Sequence, residues 1–174
     1  DINLMSETKD GLQKITDQVS KQGERLGLVI NSGKTKVMTI SKEQQDLQIT
    51  VNGNKLEQVK EFVYLGGQIS QDGRCESDIK RRVGLTGAVF NKLANIWNCH
   101  NLTLEIKVQV FESLVIPVLM YGSECWTLRK EDERRILVAE MCWLRKILGI
   151  SRLQHIRNDD IRMRTGMQVT TVDR

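Results

Sequence analysis

Apolar residues recur along this chain in two rhythms, and the change falls near residue 70. Leu12, Ile15, Val19 and Leu26 return at helical intervals. Ser6 is a candidate cap, Glu7 suits the first turn, and Gly27 is placed to stop the helix. Its other face mixes Lys9, Asp10, Lys14, Asp17, Lys21, Glu24 and Arg25, the pattern of a solvated surface. A shorter period follows. Leu28-Val29-Ile30-Asn31 reads as a strand, Ser32-Gly33 as a turn, and Val37 to Ile40 as a β-rich run. Leu47 to Val51 alternates, Asn52-Gly53 is a strong hairpin signal, and Asn54 to Val59 returns as the partner. Phe62-Val63-Tyr64-Leu65 is a further strand, stopped by Gly66-Gly67. Residues 28–69 therefore predict a small antiparallel group.

From Cys75 the helical period takes over. Ile79, Val83, Phe90, Leu93, Ile96 and Trp97 form one stripe, with Lys80, Arg81 and Arg82 clustered near its start. Thr103 is placed to cap a second helix through Val108, Phe111, Val115 and Leu119. Pro117 should kink or end that helix, because it lacks an N–H and clashes one turn back, at a cost of ~3 kcal/mol. Thr127 is the candidate cap of a third, whose acidic start Glu131-Asp132-Glu133 complements the helix dipole. Its apolar face is Ile136, Leu137, Met141, Leu144, Ile147 and Leu148, and Gly149 closes it. Asn158, Asp159 and Asp160 open a last short helix. The fold class this predicts is α+β: a small antiparallel sheet region with one helix, followed by a helical bundle.

Composition narrows the functional classes. The 174 residues are 40% hydrophobic and 28% charged, as in a soluble globular protein. The longest apolar run, Leu114 to Tyr121, is too short to span a bilayer, so no membrane is expected. No basic region precedes an apolar stretch at the N-terminus, so an intracellular place, cytoplasmic or nuclear, is expected. The first residue is Asp1, which suggests a piece of something longer. Cys75, Cys99, Cys125 and Cys142 are irregularly spaced and far from zinc-ligand patterns, and are expected as buried free thiols. A net charge of +4 permits a nucleic-acid partner without implying one.

One motif misleads. Ser32-Gly33-Lys34-Thr35 after a short strand looks like the end of a phosphate-binding loop. That loop needs a glycine at position 28, which is Leu28, and a helix from Lys34, where the sequence is β-rich. The reading is rejected.

The order of parts resembles the C-terminal portion of the reverse transcriptase of non-LTR (LINE-type) retrotransposons. Leu26-Gly27-Leu28-Val29-Ile30-Asn31 with Lys34-Thr35-Lys36 is similar to the fourth palm motif of that family, and Phe62-Val63-Tyr64-Leu65-Gly66 to its primer grip. Val118 to Trp126 and Leu144-Arg145-Lys146-Ile147-Leu148-Gly149 resemble the thumb and its flank. The resemblance implies that residues 1–70 are the end of the palm, 71–150 a thumb-like helical domain, and 151–174 a short basic region with one helix. It implies RNA-directed DNA synthesis on an RNA template and DNA primer, with deoxynucleotides and magnesium in the parent enzyme. Asp1 stands where the second of two metal-binding aspartates would be; the first, the fingers and the nucleotide pocket are missing. Because magnesium wants several oxygen ligands in near-octahedral geometry, this chain alone is expected to hold none and to be inactive.

The residue roles implied by the resemblance are these. Asp1 would serve the metal and catalysis. Lys34 would neutralise or protonate the leaving pyrophosphate, with Lys36 beside it. Tyr64, Leu65 and Gly66 would hold the primer terminus, where a Cβ at Gly66 would keep the backbone from close approach. Lys80, Arg81 and Arg82 would reach phosphates from the first thumb helix, fixing register without reading sequence. Arg145, Lys146, Arg152, Arg157, Arg162 and Arg164 make a second basic region. Trp97, Trp126 and Trp143 are expected in the core. An alternative reading from another class is a non-catalytic nucleic-acid-binding or structural fragment of a decayed element.

Overall fold

A computed structural model of the chain describes residues 2–41 and 46–173, so Asp1 lies outside the described residues. The chain divides into two compact units. The first comprises the described residues up to Tyr64 together with Ile69–Arg74; the second comprises Leu65–Gln68 and the described residues from Cys75 onward.

The first unit opens with α1 (Lys9–Arg25). Its cap is Thr8 and not Ser6: the Thr8 backbone is extended, and its hydroxyl accepts from the Gly11 N–H at 3.1 Å. The Ser6 hydroxyl is occupied one step earlier, accepting from the Thr8 N–H. Gly27 ends the helix as expected. It takes a left-handed φ of 73°, its N–H reaches the Glu24 carbonyl, and the Leu28 N–H reaches Gly23, the paired bonds of a Schellman motif.

Six very short strands follow in the chain, in three two-stranded ladders, the last strand beginning in residues of the second unit. They are β1 (Lys36–Val37), β2 (Thr50–Val51), β3 (Asn54–Lys55), β4 (Glu57–Gln58), β5 (Glu61–Tyr64) and β6 (Gly67–Ser70). The β2–β3 hairpin turns at Asn52-Gly53, with φ of 49° and 76°, the two left-handed residues that match strand twist. The β1–β4 ladder is parallel. The Asn54–Val59 stretch, expected as one returning strand, divides, with β3 pairing to β2 and β4 to β1. Leu28–Asn31 joins no ladder, and Leu28 and Val29 are exposed. Val37, Leu47, Ile49, Val51 and Leu56 form a small core, against which Leu12 and Ile30 pack. The Gln13 side-chain amide acts as a surrogate strand, bonding both the carbonyl and the N–H of Thr50 at 2.9 Å.

The second unit is helical: α2 (Glu76–Lys92), α3 (Ala94–Trp97), α4 (Leu104–Val110), α5 (Ile116–Met120), α6 (Lys130–Ile147) and α7 (Asn158–Thr165). Its core centres on Phe90, which stacks on Trp97 at 4.9 Å and on Trp143 at 6.2 Å, with Phe111 edge-on at 6.2 Å. Such pairs add about 0.5–1.5 kcal/mol each beyond the area they bury. Trp97 and Trp143 are core residues, and the indole N–H of Trp97 donates to the Phe90 carbonyl at 2.7 Å. Ile161 and Met167 are buried in the same core.

Thr103 caps α4, accepting from the Ile106 N–H. Pro117 neither breaks nor ends the helical run. Residues Phe111–Val115 widen into a π-turn, in which the Ile116 N–H bonds to the Phe111 carbonyl, and α5 continues beyond. A wider turn accommodates the carbonyl that the proline ring would otherwise strike. Helix α6 begins at Lys130 with Arg129 at its cap position, later than the cap read at Thr127, whose N–H goes to Cys75 Sγ at 3.3 Å. Its end is as expected, with Gly149 at φ 66° and a Schellman pair from Gly149 to Lys146 and from Ile150 to Arg145. The four cysteines are free, but Cys125 is exposed and the other three only partly covered, so they are not buried thiols. The architecture is α+β.

Candidate functional site

The turn Leu65-Gly66 joins β5 to β6 with two residues, and both lie in the left-handed region, at φ 47° and 84°. Glycine adopts that conformation without strain; leucine there costs on the order of 1–2 kcal/mol. A Cβ on Gly66 would also sit 3.2 Å from the Tyr121 ring and 3.5 Å from an Arg82 nitrogen. The turn therefore favours glycine for its backbone, and a side chain there would press on the Tyr121 ring.

Those surroundings are built by residues far along the chain. The Tyr121 hydroxyl donates to the Leu65 carbonyl at 3.0 Å. The Gly66 carbonyl accepts from Arg81 Nη1 at 2.9 Å and from Arg82 Nη2. The Arg82 guanidinium lies 4.5 Å from the centroid of the Tyr121 ring, a cation–π contact. Behind it, one Asp78 oxygen accepts from the Gln68 N–H and the other from the Trp126 indole N–H, each at 2.9 Å. Asp78 and Arg82 are one helical turn apart on α2, both almost wholly buried, with Arg82 Nε 3.9 Å from Asp78 Oδ1. That Nε has no hydrogen-bond partner. The carbonyls of the turn are thus fixed from within, while the Leu65 side chain stays 65% exposed.

Of the sequence-predicted site residues, the structure brings together Leu65, Gly66, Arg81 and Arg82. Arg82 is turned inward and buried, so it holds the turn and is not placed to reach a phosphate. Lys80 is exposed and pairs with Glu76 at 2.6 Å. Tyr64 is half-buried at the end of β5, whose Phe62 and Val63 are exposed. In the first unit, Lys34 is exposed in a turn fixed by Asn31, whose carbonyl and side-chain oxygen both accept from the Lys34 N–H at 3.1 Å. Lys36 forms an ion pair with Glu57. Among the described residues, no group of three or more His, Cys, Asp or Glu could hold a metal ion, and no helix is long and apolar enough to cross a membrane.

Sequence reasoning missed Tyr121, Asp78 and Trp126 as partners of the turn. One signal was present: Asp78 and Arg82 stand at i and i+4 beside Ile79 and Val83, an acid and a base at the edge of an apolar stripe.

Over 171 residues the chain is 30% identical to an uncharacterized transposon-derived protein of Caenorhabditis elegans. The likeness supports a transposon-related origin. It covers 94% of this chain and 61% of that protein, so the chain spans about three-fifths of the relative's length. No family model and no solved structure matches the chain.

Proposed function

We propose that the chain is the palm-to-thumb part of a retrotransposon reverse transcriptase, and that the Leu65-Gly66 turn grips the primer terminus. The observation that carries this reading is the fixing of both turn carbonyls by Tyr121, Arg81 and Arg82. A turn so held presents its backbone in one orientation, as positioning a primer end demands. The transposon-derived relative and the order of the palm-like and thumb-like motifs support the same reading.

In this scheme Leu65 and Gly66 contact the last primer sugar and phosphate, and the Tyr64 ring adds a flank. Lys80 and the outer face of Arg81 meet phosphates of the RNA–DNA hybrid, whose wide minor groove favours shape and backbone contacts. Arg82 acts from behind as a positioning residue. Lys34 and Lys36 face the triphosphate in the parent enzyme, with Lys36 first released from Glu57. Magnesium belongs to that parent enzyme: Asp1 is a single carboxylate, and the described residues add no ligand cluster for it, so no step on this chain is assigned to the metal.

A primer-extension assay on this chain, run beside hybrid-duplex binding at two salt concentrations, tests the proposal. Expected is binding that weakens with salt, with a slope of about −0.9 per phosphate neutralised if the B-DNA value holds, and no extension. Extension by the chain alone would overturn the assignment of catalysis to the parent enzyme. Absence of hybrid binding would favour a purely structural fragment.

A further inference from the structure

A groove of about 750 Å³ runs along α6 and is walled by the segment that follows it. Its lining on α6 runs from Lys130 to Arg145, one helix face about 22 Å long at 1.5 Å per residue. The floor is aliphatic, with Leu137, Val138, Met141 and Ile156; Val138 is half-exposed although it lies mid-helix. The far wall is preformed. Arg145 Nη2 donates to the Ile156 carbonyl at 3.0 Å and to Asn158 Oδ1 at 2.8 Å, tying the wall to α6. A capping box of Ser151 and Gln154 fixes the turn between them.

The groove's charge is one-sided. Lys130, Arg134, Arg145 and Arg152 line it against one carboxylate, Glu133. We infer that this groove docks an amphipathic helix of a partner protein, one that carries aliphatic residues on its inner face and acidic residues on its flanks. The aliphatic floor receives the side chains at i, i+4 and i+7 of such a helix, and the cationic rim receives its carboxylates. Its lining, among the described residues, contains no Phe, Tyr or Trp, so it offers no broad aromatic platform for successive bases. That favours a peptide over a nucleic-acid strand. The inference does not depend on the polymerase reading.

The test is fluorescence anisotropy on the full chain with a labelled synthetic helix bearing leucines at i, i+4 and i+7 and glutamates on both flanks. The same helix with lysines for glutamates, a scrambled peptide and an oligothymidylate competitor serve as comparisons. Expected is saturable binding of the glutamate helix, at least tenfold weaker for the lysine helix, and no displacement by oligothymidylate. Val138→Asp and Arg134→Glu should each raise the Kd at least tenfold. Both positions are exposed, and circular dichroism checks that the helices persist. Arg134→Glu should also improve binding of the lysine helix, a gain that misfolding would not produce. The inference is overturned if the glutamate helix fails to saturate, if lysine or scrambled peptides bind as well, if neither substitution moves the Kd, or if oligothymidylate displaces the peptide.

Discussion

The Tyr121 hydroxyl donates to the Leu65 carbonyl at 3.0 Å, across 56 residues of sequence. The same ring carries the Arg82 guanidinium on its face, and Arg82 in turn holds the Gly66 carbonyl. One tyrosine therefore supports both residues of the turn, one directly and one through its neighbour. Tyr121→Phe should cost about 1 kcal/mol, because the exposed Leu65 carbonyl regains water. Tyr121→Ala should cost more, by a further ~1 kcal/mol as the cation–π contact is lost. Urea denaturation of the two variants beside the parent checks the order.

Arg82 and Lys80 lie two positions apart on α2, and their substitutions should behave very differently. Arg82→Met leaves the buried Asp78 carboxylate without its cation and the Gly66 carbonyl with Arg81 as its one remaining side-chain donor. That should destabilise by on the order of 3 kcal/mol, and Arg82→Lys should not rescue it, since an ammonium lacks the planar fork. Lys80→Ala breaks only an exposed pair with Glu76 and should shift stability by less than about 1 kcal/mol. Hybrid binding should show the reverse order among folded variants, with Lys80→Ala lowering the salt slope.

A second buried charge holds the C-terminal region. Glu140 is fully buried on α6; it accepts from Arg162 at 2.6 Å and from the Thr171 hydroxyl at 2.8 Å. Glu140→Ala leaves the partly buried Arg162 guanidinium without its carboxylate, with only the Met167 carbonyl at 3.4 Å, and should cost about 3 kcal/mol. Thr171→Val removes only one donor and should cost about 1 kcal/mol. Hydrogen exchange of α7 amides should rise far more in the first variant than in the second.

Acid titration should single out Asp72. Its carboxylate accepts from the Ser70 hydroxyl at 2.6 Å and from the Arg74 N–H at 3.0 Å, and these bonds, the serine's first, hold its pKa below the ordinary carboxylate value. A lowered folded-state pKa means that the turn's stabilisation is complete above the ordinary value and is lost as pH falls through the folded one. Carbon-detected NMR titration should find Asp72 low, and Ser70→Ala should raise it.

How much of this was legible beforehand depends on the range of the interactions. Local signals held: Asn52-Gly53 makes the hairpin, Thr103 caps α4, and Gly27 and Gly149 end their helices, since each depends on its own few residues. Pairings set by distant partners did not. The β1–β4 ladder joins Lys36 to Glu57, and nothing in either dipeptide announces a parallel partner. The usual effect of a proline such as Pro117 is to kink or end a helix, whereas the π-turn ahead of it absorbs the clash. At the turn, glycine at residue 66 was legible as a turn former. That Arg82 points inward was not, because a run of Lys80-Arg81-Arg82 gives no sign of which cation faces the core until Asp78 and Tyr121 are placed around it.

The central claim is that the Leu65-Gly66 turn contacts the primer end. Placing the photo-crosslinking residue p-benzoylphenylalanine at position 65, where the side chain is exposed, and irradiating the chain with an RNA–DNA hybrid tests it directly. The account predicts crosslinks on the DNA strand within the last nucleotides of its 3′ end, suppressed by high salt. Crosslinks spread evenly along either strand, or confined to the RNA, would contradict it.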